Sequence, residues 1–490
     1  MKNKVAKLNK KQKDQRQKHV VFTINAIQFA RYSYPIGKRL EEQGYKVTYI
    51  TYCKECVEFF NKRRASYEYI IDGMAQCKLE KPLVEYLEAF EEEYEVPSMN
   101  LLLFGDRNHA WFSEEKAKES LVRHFMYWGK FLSENNVDFI LGGTERFINE
   151  VPRAVSRRFK TRHLVCKVPP IKGNFVISED HMGRWTTLND YWKEHKNKPL
   201  TAAERKQAAA FIDDLINTKK RSYLCFGKNT ITWQDVMYFF DRLYVNLFTE
   251  KRKNPYANLF HIAWEHLQKV IRKRFVWVLY EKPKEGERYI FYPLHLQNDA
   301  QIIVRAPQYS DQVALIETLS HFVPAGYYLY VKEHPNNVGG MPLDALWRIK
   351  RLPNVRLLSV NTHSHTLIEG ADLIITVNST VGWEGLIYQK PVITLGTAFY
   401  DISGLTYNVR DFYQLAETIK KGIKDSKQNG KNKNKKLTER RELLYRFVHA
   451  VLKNIHEGTI VMQGEYWDKY MQDENLEKVT QGIIEELERY

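Results

Sequence analysis

The segment from Tyr289 to Thr406 repeats one pattern, in which an apolar run is followed by a small polar cluster and then by a helical pattern. The runs YIFYPL, YYLYV, DLIITV and PVITL have the length and composition of buried strands. Strands that alternate with helices in this way predict a doubly wound α/β domain with a parallel sheet. Such domains bind nucleotides at the carboxyl ends of the strands, where helices begin. The pattern therefore predicts a nucleotide site in this half of the chain.

Alternation of strand and helix also begins near the start of the chain. From His19, the runs HVVFTINA and YKVTYITY flank the amphipathic stretch FARYSYPIGKRLEEQG, and VDFILGG and NFVISED follow as further strands. A chain of 490 residues is long enough for two or three hydrophobic cores. We predict two Rossmann-like α/β domains that face a central cleft, with helices at the carboxyl end.

The composition limits the partners and the compartment. A net charge of +16 favours anionic partners, among them nucleic acid, an anionic membrane face, acidic sugars and nucleotides. Five scattered cysteines do not suit a disulfide framework. The sequence shows neither a signal-peptide core nor an apolar run of transmembrane length. We expect a cytoplasmic protein whose basic amino-terminal arm is either solvated or peripheral on the inner membrane face.

Three polar clusters follow strands of the second domain. They comprise Lys332, Glu333, His334 and Pro335; Asn378, Ser379 and Thr380 with Glu384; and His295 with Gln297. An imidazole, a lysine ammonium and a helix start can each hold a phosphate, and the Glu384 carboxylate can accept from ribose hydroxyls. His295 and Gln297 lie two residues apart, which on a strand places both on one face.

Each of these clusters also has a structural alternative. The first can be a solvated strand end, the second an ordinary helix cap, and the third a histidine that serves packing. Two anion-ready strand ends in one doubly wound domain nevertheless favour nucleotide binding.

Two carboxylates follow strands of the first domain, Glu145 after VDFILGG and Asp180 after NFVIS. Transfer of a sugar from a nucleotide needs a group that activates the acceptor hydroxyl, or a carboxylate that attacks the sugar. Either residue suits this role. Arg146 and Arg153 can bind an acidic sugar, although a solvated helix face explains them equally well.

The segments PLHLQNDAQI, KEHP, VNSTVGWEGLIYQKPVITLG and AFYDISGLT together resemble the bacterial capsule polysaccharide biosynthesis family, which includes retaining β-Kdo transferases. The resemblance covers Tyr289–Thr406 and, upstream, only the order of elements. The chain has Asn298 and Asp299 where family members commonly have a Pro-Glu pair. The resemblance implies a GT-B-like α/β fold and, as the donor, a CMP-linked ulosonic acid such as Kdo.

The resemblance also implies roles for residues of this sequence. His334-Pro335 and Ser379-Thr380 match family positions that bind the donor phosphate. FVISEDHMGRW resembles a family segment with an aspartate before a glycine, which implies Asp180 as the carboxylate near the anomeric carbon, and TERF supports Glu145. Transfer is expected without a metal, since no Asp-x-Asp motif stands in a fitting place, and without a cofactor. The expected partners are a nucleotide-sugar donor, a glycan or glycolipid acceptor and an anionic membrane surface, but not nucleic acid.

Six segments are predicted along the chain. They are a basic tail (1–18), an acceptor and catalytic domain (19–282), a hinge (283–288), a nucleotide-sugar-binding domain (289–423), a charged mobile linker (424–436) and carboxyl-terminal helices (437–490). Two alternatives to a glycosyltransferase of surface or capsule polysaccharide synthesis stay open. One is a UDP-sugar transferase or UDP-sugar 2-epimerase on the same fold, and the other is a non-catalytic glycan-binding scaffold.

Overall fold

Two sheets form the framework of the protein. The computed structural model describes residues 16–106, 112–143, 146–219, 259–431, 435–460 and 467–490, together with Met237, Phe240, Leu243, Tyr244 and Phe248. The strands are β1 His19–Ile24, β2 Lys46–Thr51, β3 Tyr67–Tyr69, β4 Phe139–Gly142, β5 Arg162–Lys167, β6 Asn174–Ser178, β7 Arg288–Pro293, β8 Tyr327–Lys332, β9 Val355–Leu358, β10 Leu373–Thr376, β11 Val392–Thr394, β12 Thr406–Asn408 and β13 His456–Glu457.

The second sheet is entirely parallel, whereas the first contains parallel and antiparallel pairs of strands. The first has the order β13-β6-β5-β4-β1-β2-β3, and the second has the order β12-β11-β10-β7-β8-β9. All pairs of the second sheet are parallel. In the first sheet β6 runs antiparallel to both β5 and β13. Parallel strands at the centre of each sheet bring their carboxyl ends to one edge, where a ligand site is expected.

Helices cover both faces of each sheet. The described helices are Ile27–Glu42, Lys54–Lys62, Ile70–Gln76, Leu83–Glu93, Met99–Gly105, Glu114–Glu134, Phe147–Ser156, Thr186–His195, Ala202–Thr218, Leu259–Phe275, Ala300–Ile303, Gln312–Phe322, Leu343–Lys350, Ser364–Gly370, Thr380–Ile387, Leu415–Lys431, Lys435–Lys453, Trp467–Tyr470 and Asp473–Arg489. Successive side chains of a strand point to opposite faces. Ile290 and Tyr292 of β7 accordingly belong to one hydrophobic cluster and Phe291 to another. The predicted α/β fold with two Rossmann-like sheets is confirmed.

The chain changes domain at places other than the predicted hinge. Trp185 and Trp192 pack with Trp383 and Phe447 of the second domain, so residues from Trp185 to Thr218 accompany the second sheet. The chain returns after Lys453, because His456 pairs with Phe175 of β6.

The predicted hinge, Pro283–Arg288, is instead a turn inside the second domain. The Arg356 guanidinium of β9 binds the carboxylates of Glu281 and Glu287, one on each side of this turn. The Glu281 backbone N–H also donates to the Leu357 carbonyl at 2.8 Å. Proline, glycine and alternating charge mark turns inside domains as well as hinges between them. The pattern therefore predicts a turn correctly, but the turn lies inside the second domain and not between the two domains.

The predicted linker and tail have different outcomes. The segment 424–436 was predicted as a mobile linker, but helices run through Lys431 and again from Lys435. Of the basic tail, residues 1–15 lie outside the described residues, and the Arg16 guanidinium binds the Asp138 carboxylate at 2.7 Å. None of the helices in the described ranges is long and apolar enough to span a bilayer.

Candidate active site

A cavity of about 540 Å³ lies between the carboxyl ends of the two sheets. The first domain lines it with residues at the carboxyl ends of β1, β4 and β5, such as Asn25, Gly143 and Lys167. The second domain contributes the segment after β7 and the end of β10, including Asn378 and Thr380. The edges formed by the carboxyl ends of the parallel strands of both sheets therefore meet at one cavity, which is where α/β folds bind ligands.

The wall of this cavity carries an excess of positive charge. Arg146, Lys167 and Arg305 line it, and Asp299 is the single carboxylate among its described lining residues. The Arg305 side chain comes from the second domain and its Nε donates to the His181 carbonyl of the first at 2.7 Å. This arrangement places cations from both domains around one space, which suits an anionic ligand.

Lys167 is held at the end of β5 by backbone carbonyls. Its Nζ donates to the carbonyls of Asp180 and Arg184, the second at 3.0 Å. Burial and, to a smaller extent, the charge of Arg305 lower the pKa of Lys167 to about 7, while Asp180 opposes the change. The charge of this lysine is therefore sensitive to whatever anion enters the cavity, because an anion raises its pKa.

A second layer of cations lies behind the cavity wall. The Arg153 guanidinium binds the buried carboxylate of Glu150 at 2.7 Å. Burial raises the pKa of Glu150, while Arg153, Arg305 and Arg157 act against that rise. Burial and the same three arginines lower the pKa of His181 to about 3. Of the two arginines predicted for an acidic sugar, Arg146 reaches the cavity, whereas Arg153 is engaged by Glu150.

The end of β10 combines a helix cap with groups that face the cavity. The Ser379 hydroxyl accepts from the Val381 N–H at 3.2 Å and caps the helix Thr380–Ile387. The Asn378 side-chain Nδ2 donates to the Gln301 carbonyl at 2.8 Å. Its Oδ1 is buried and has no hydrogen-bond partner in the described part of the chain. Ser379 thus serves as a helix cap, which was the structural alternative for this cluster. Asn378 and Thr380 are the members of the cluster that line the cavity.

Glu384 lies in the same helix but does not line the cavity. Its side chain is buried beside Tyr400, whose hydroxyl donates to the Ser379 carbonyl at 2.6 Å. The Glu384 carboxylate lies about one helical turn from Thr380, which lines the cavity. The contact between Glu384 and a ribose stays a prediction.

The Lys332–Pro335 cluster lies next to the cavity rather than in its wall. Lys332 and Glu333 are buried, and His334 begins a short helical turn in which its Nδ1 accepts from the Asn336 N–H at 3.2 Å. Burial lowers the pKa of His334 to about 4, and Asp299 opposes this change. Asp299 thus connects the cluster electrostatically with the cavity that it lines.

His295 and Gln297 do not share a face. His295 is buried, and its backbone N–H and carbonyl both bind the Gln312 side chain. Gln297 is exposed. Strand β7 ends at Pro293, so the two-residue period of a strand does not extend to these positions. The prediction that both point the same way is wrong, and burial also holds the pKa of His295 at about 3.

Glu333 provides a test of stability against pH. Its side chain is 0% exposed, the Tyr280 hydroxyl donates to it, and burial raises its pKa from 4.5 to about 7. Between these two values the folded protein binds more protons than the unfolded chain, so this group contributes less stability as pH rises through that window. Glu333→Gln is expected to be roughly 1–3 kcal/mol more stable than wild type at pH 8, with little difference at pH 4.

Urea unfolding of both proteins at the two pH values measures this difference. Glu317→Gln is the control, because Glu317 pairs with Arg348 on the surface at 2.8 Å, where an ion pair contributes at most about 1 kcal/mol. An equal effect of Glu333→Gln at both pH values would contradict the assigned cause.

Of the two predicted catalytic carboxylates, Asp180 lies among the described residues. Glu145 lies outside the described residues. Asp180 follows β6 at the cavity rim, where its Oδ1 accepts from the Arg184 N–H at 3.2 Å and its carbonyl accepts from Lys167. Asp180 is partly exposed and adjoins the cavity through Lys167 and Gly183, both of which line it. Its catalytic role stays a prediction.

Sequence reasoning missed Lys167, Gln301 and Arg305 as cavity residues. Lys167 ends the run HLVCK, so the carboxyl end of a predicted strand could have indicated it. Arg305 follows the short helix Ala300–Ile303 and carries no local signal. Asp299, seen in the sequence only as a departure from the family pattern, caps that helix by accepting from the Gln301 N–H at 2.8 Å. No group of three His, Cys, Asp or Glu side chains suited to a metal ion occurs among the described residues.

A model of the capsule polysaccharide biosynthesis protein family matches residues 238–426. The predicted resemblance to this family is confirmed over this segment, which includes Tyr289–Thr406. The chain is 34% identical to the capsule polysaccharide export protein KpsS of Escherichia coli, over 26% of this chain and 35% of that protein. It is 27% identical to the capsule polysaccharide modification protein LipB of Neisseria meningitidis serogroup B, over 34% of this chain and 44% of that protein. The matches thus span less than half the length of these capsule-family relatives.

Solved structures give a more distant similarity. The chain resembles a structure titled Thermosulfurimonas dismutans KpsC, beta Kdo 2,4 transferase, with 15% identity and a TM-score of 0.40 over 66% of this chain and 82% of that chain. A glycosyltransferase from Rickettsia africae gives 12% identity and a TM-score of 0.31 over 96% and 98%. The fold assignment therefore rests on the strand order of the chain itself.

Proposed function

We propose that the protein transfers a sugar from a nucleotide-activated donor to a growing surface or capsule polysaccharide. The observation that carries this proposal is the cavity between the two sheet edges, where Arg146, Lys167 and Arg305 come from two domains. A nucleotide sugar carries its negative charge at the phosphate, between base and sugar. A cationic cavity that spans both domains suits such a ligand, and transfer requires the acceptor to enter from the other side.

The donor that we propose is a CMP-linked ulosonic acid such as Kdo. Such a donor has a phosphate and a carboxylate close together, so it brings two negative charges to one place. The excess of cations over carboxylates along the cavity wall suits such a donor, although the diphosphate of a UDP-sugar carries as much charge; the choice of CMP-Kdo rests on the resemblance to β-Kdo transferases. The capsule family match over residues 238–426 supports the same setting.

For the transfer itself, we propose Asp180 as the reacting carboxylate. In one route Asp180 takes the proton of the acceptor hydroxyl while the acceptor oxygen displaces CMP from the anomeric carbon. In the other route Asp180 attacks the anomeric carbon and CMP leaves; the acceptor oxygen then displaces the carboxylate, and the released carboxylate takes the acceptor proton. In both cases the departing phosphate gains charge, and Lys167 and Arg305 are placed to stabilise it. Metal-independent transfer remains part of this proposal.

For the acceptor, we propose a glycan or glycolipid that enters the same cavity. Phe22, Ile36, Val479 and Ile483 contribute apolar atoms to the cavity wall, and all four belong to the hydrophobic core of the first domain. Apolar lining of this kind suits the hydrocarbon part of a glycolipid.

Isothermal titration calorimetry tests the donor. We expect CMP and CMP-Kdo to bind and UDP-sugars to bind weakly or not at all. Binding of UDP-sugars in the absence of CMP binding would overturn the donor assignment. Conversion of a donor to an isomer without any acceptor would identify an epimerase instead.

His334→Ala tests the predicted phosphate contact of the KEHP segment. Because Nδ1 accepts from the Asn336 N–H and the ring is neutral at pH 7, the proton lies on Nε2, the atom that would donate to the phosphate. Hydrogen bonds to charged groups contribute about 1.5–3 kcal/mol, so CMP affinity is expected to fall roughly 10- to 150-fold. His321→Ala, on the helix Gln312–Phe322, is the control. Equal CMP affinities of wild type and His334→Ala would remove His334 from the site.

A further inference from the structure

Arg146 has a backbone conformation that residues other than glycine rarely adopt. Its φ is +68° and its ψ is +162°, a region in which the Cβ of an L-residue crowds the backbone. Lys219, by contrast, has φ +46° and ψ +28°, the common left-handed turn at a helix end. Among the described non-glycine residues of positive φ, Arg146 is the one that lines the cavity. Strain of this kind clusters at functional sites, so Arg146 is a candidate for a specific contact with the ligand.

Three hydrogen bonds fix the peptide group between Arg146 and Phe147. The Phe147 N–H donates to the Asp106 carboxylate at 2.9 Å. The Arg146 carbonyl accepts from the N–H groups of Asn149 at 3.1 Å and Glu150 at 3.0 Å. The angle ψ of Arg146 is the rotation that orients this peptide group. These bonds therefore hold ψ at its strained value.

The Asp106 carboxylate reaches this peptide group from a distant element. Asp106 ends the helix Met99–Gly105, lies 41 residues before Phe147 and is 0% exposed. A helix is ordinarily capped by the side chain of the residue that begins it. Arg146 begins the helix Phe147–Ser156 without such a bond, and Asp106 supplies the cap instead. The position of an ordinary cap thus carries a guanidinium that lines the cavity.

The chemistry of this guanidinium suits a carboxylate. Arg146 follows β4 at the edge of the first sheet, whereas the helix start at Thr380 belongs to the second sheet. In the proposed reaction Lys167 and Arg305 stabilise the departing phosphate. Arg146 is then the remaining cation among the described residues of the cavity wall. A planar guanidinium binds a carboxylate through two parallel hydrogen bonds.

We propose that Asp106 is a positioning residue that holds Arg146 in its strained conformation, and that the Arg146 guanidinium binds the carboxylate of an acidic sugar. The carboxylate belongs either to the donor sugar or to the acceptor sugar, and the same pair of hydrogen bonds serves both. This inference rests on the proposed transfer of a sugar. It does not depend on the nucleotide that activates the donor.

Comparison of Arg146→Gly with Arg146→Ala tests the strain. Both variants lack the guanidinium, and they differ in the Cβ alone. Alanine is usually the more stabilising of the two residues, but only where φ and ψ suit it. Here Arg146→Gly should melt about 2–4 °C above Arg146→Ala in calorimetric unfolding without ligand. An equal or lower Tm of the glycine variant would overturn the strained conformation.

Titration calorimetry with CMP-Kdo and with CMP tests the carboxylate. Of these two ligands only CMP-Kdo has one. Arg146→Ala should therefore weaken CMP-Kdo about 10- to 150-fold and CMP less than about threefold. Equal losses for the two ligands would place Arg146 at the phosphate and overturn the assignment.

The methyl glycoside of Kdo distinguishes the donor from the acceptor. If Arg146→Ala weakens this glycoside in CMP-saturated protein and leaves CMP-Kdo affinity unchanged, the carboxylate belongs to the acceptor. Unchanged affinities for both ligands would overturn the proposal. If the wild type binds no CMP-sugar, the proposed donor fails, and UDP-glucuronic acid and UDP-glucose, which differ in one carboxylate, decide the inference instead. Arg146→Ala should then weaken the acidic ligand alone, and equal affinities of variant and wild type for it would contradict the proposal.

Substitutions of Asp106 test its positioning role. Asp106→Asn keeps an oxygen that accepts from the Phe147 N–H and should keep the preference for CMP-Kdo over CMP, whereas Asp106→Ala should lower this preference at least about tenfold. Should Asp106→Ala not fold, Asp106→Ser, whose side chain is one atom shorter, takes its place. In the Arg146→Ala background the same substitution should lower the preference no further. A further loss of equal size would overturn the positioning role.

Lys219→Gly is the matched control for the Arg146 variants. Lys219 is also basic and of positive φ, but it ends the helix Ala202–Thr218 outside the cavity and pairs with Glu369 on the surface at 2.8 Å. Its replacement should leave the affinities for CMP-Kdo and CMP within about twofold of wild type. A loss as large as that of Arg146→Ala would show that any basic residue of positive φ has this effect, against the proposal.

Discussion

Replacing Arg305 with alanine is expected to weaken the binding of CMP-Kdo about 10- to 150-fold, the loss that follows removal of a hydrogen bond to a charged group. Arg305 lines the cavity, and its Nε also donates to the His181 carbonyl across the two domains at 2.7 Å. The substitution therefore removes both a cation facing the ligand and a contact that holds the domains together. Calorimetry with CMP-Kdo measures the loss of donor affinity, and thermal unfolding of the same variant without ligand measures the loss of the interdomain contact.

Two further variants complete this experiment. Arg305→Lys keeps the charge but not the planar group, so it should recover part of the affinity for CMP-Kdo. Arg348→Ala removes an arginine that pairs with Glu317 on the surface, and it should leave donor affinity unchanged. If Arg305→Ala bound CMP-Kdo as wild type does, the cationic cavity wall could not be the donor site.

Replacing Asp180 with asparagine is expected to lower kcat at least about 100-fold while changing donor affinity less than about threefold. The amide keeps the size of the side chain and can still accept from the Arg184 N–H. It can neither take a proton from an acceptor hydroxyl nor attack an anomeric carbon. Kinetics at saturating donor measure the loss in kcat, and calorimetry with CMP measures donor affinity.

Glu179→Gln is the matched control for Asp180. Glu179 is the adjacent carboxylate, but its Oε1 binds the Arg162 guanidinium at 2.6 Å on the surface. We expect its removal to leave kcat within about twofold of wild type. A full kcat in Asp180→Asn would eliminate Asp180 as the reacting carboxylate and direct the same experiment to Glu145.

The sequence predicts most of the second domain because its signals are local. Runs such as YYLYV and DLIITV are apolar throughout, as strands buried on both faces must be, and they become β8 and β10. The short strands β3 and β13 were not predicted, since two or three residues carry no periodicity. Nor does an amphipathic pattern say which domain a helix packs on. The helices from Thr186 to Thr218 were therefore placed with the wrong sheet.

The candidate site shows the same division between local and distant signals. Asn378 and Thr380 were found because both follow an obvious strand and begin a helix. The cations at the cavity come from separate elements, and Arg305 has no local pattern that distinguishes it from a solvated arginine. Burial of a polar residue depends on contacts with distant parts of the chain. Lys332 and Glu333, which a strand end would expose, are buried for this reason.

The first domain is assembled from two stretches that are far apart in the sequence. Leu476 and Ile483 of the last helix share a hydrophobic cluster with Phe22 and Ile36 near the start. A ribosome releases the start of a chain first, and domains commonly fold in that order. Here the hydrophobic core of the first domain cannot form completely until the last helix has been synthesised. All described elements of the second domain have been synthesised once the chain reaches Lys453. We therefore expect this chain to fold from its middle outward.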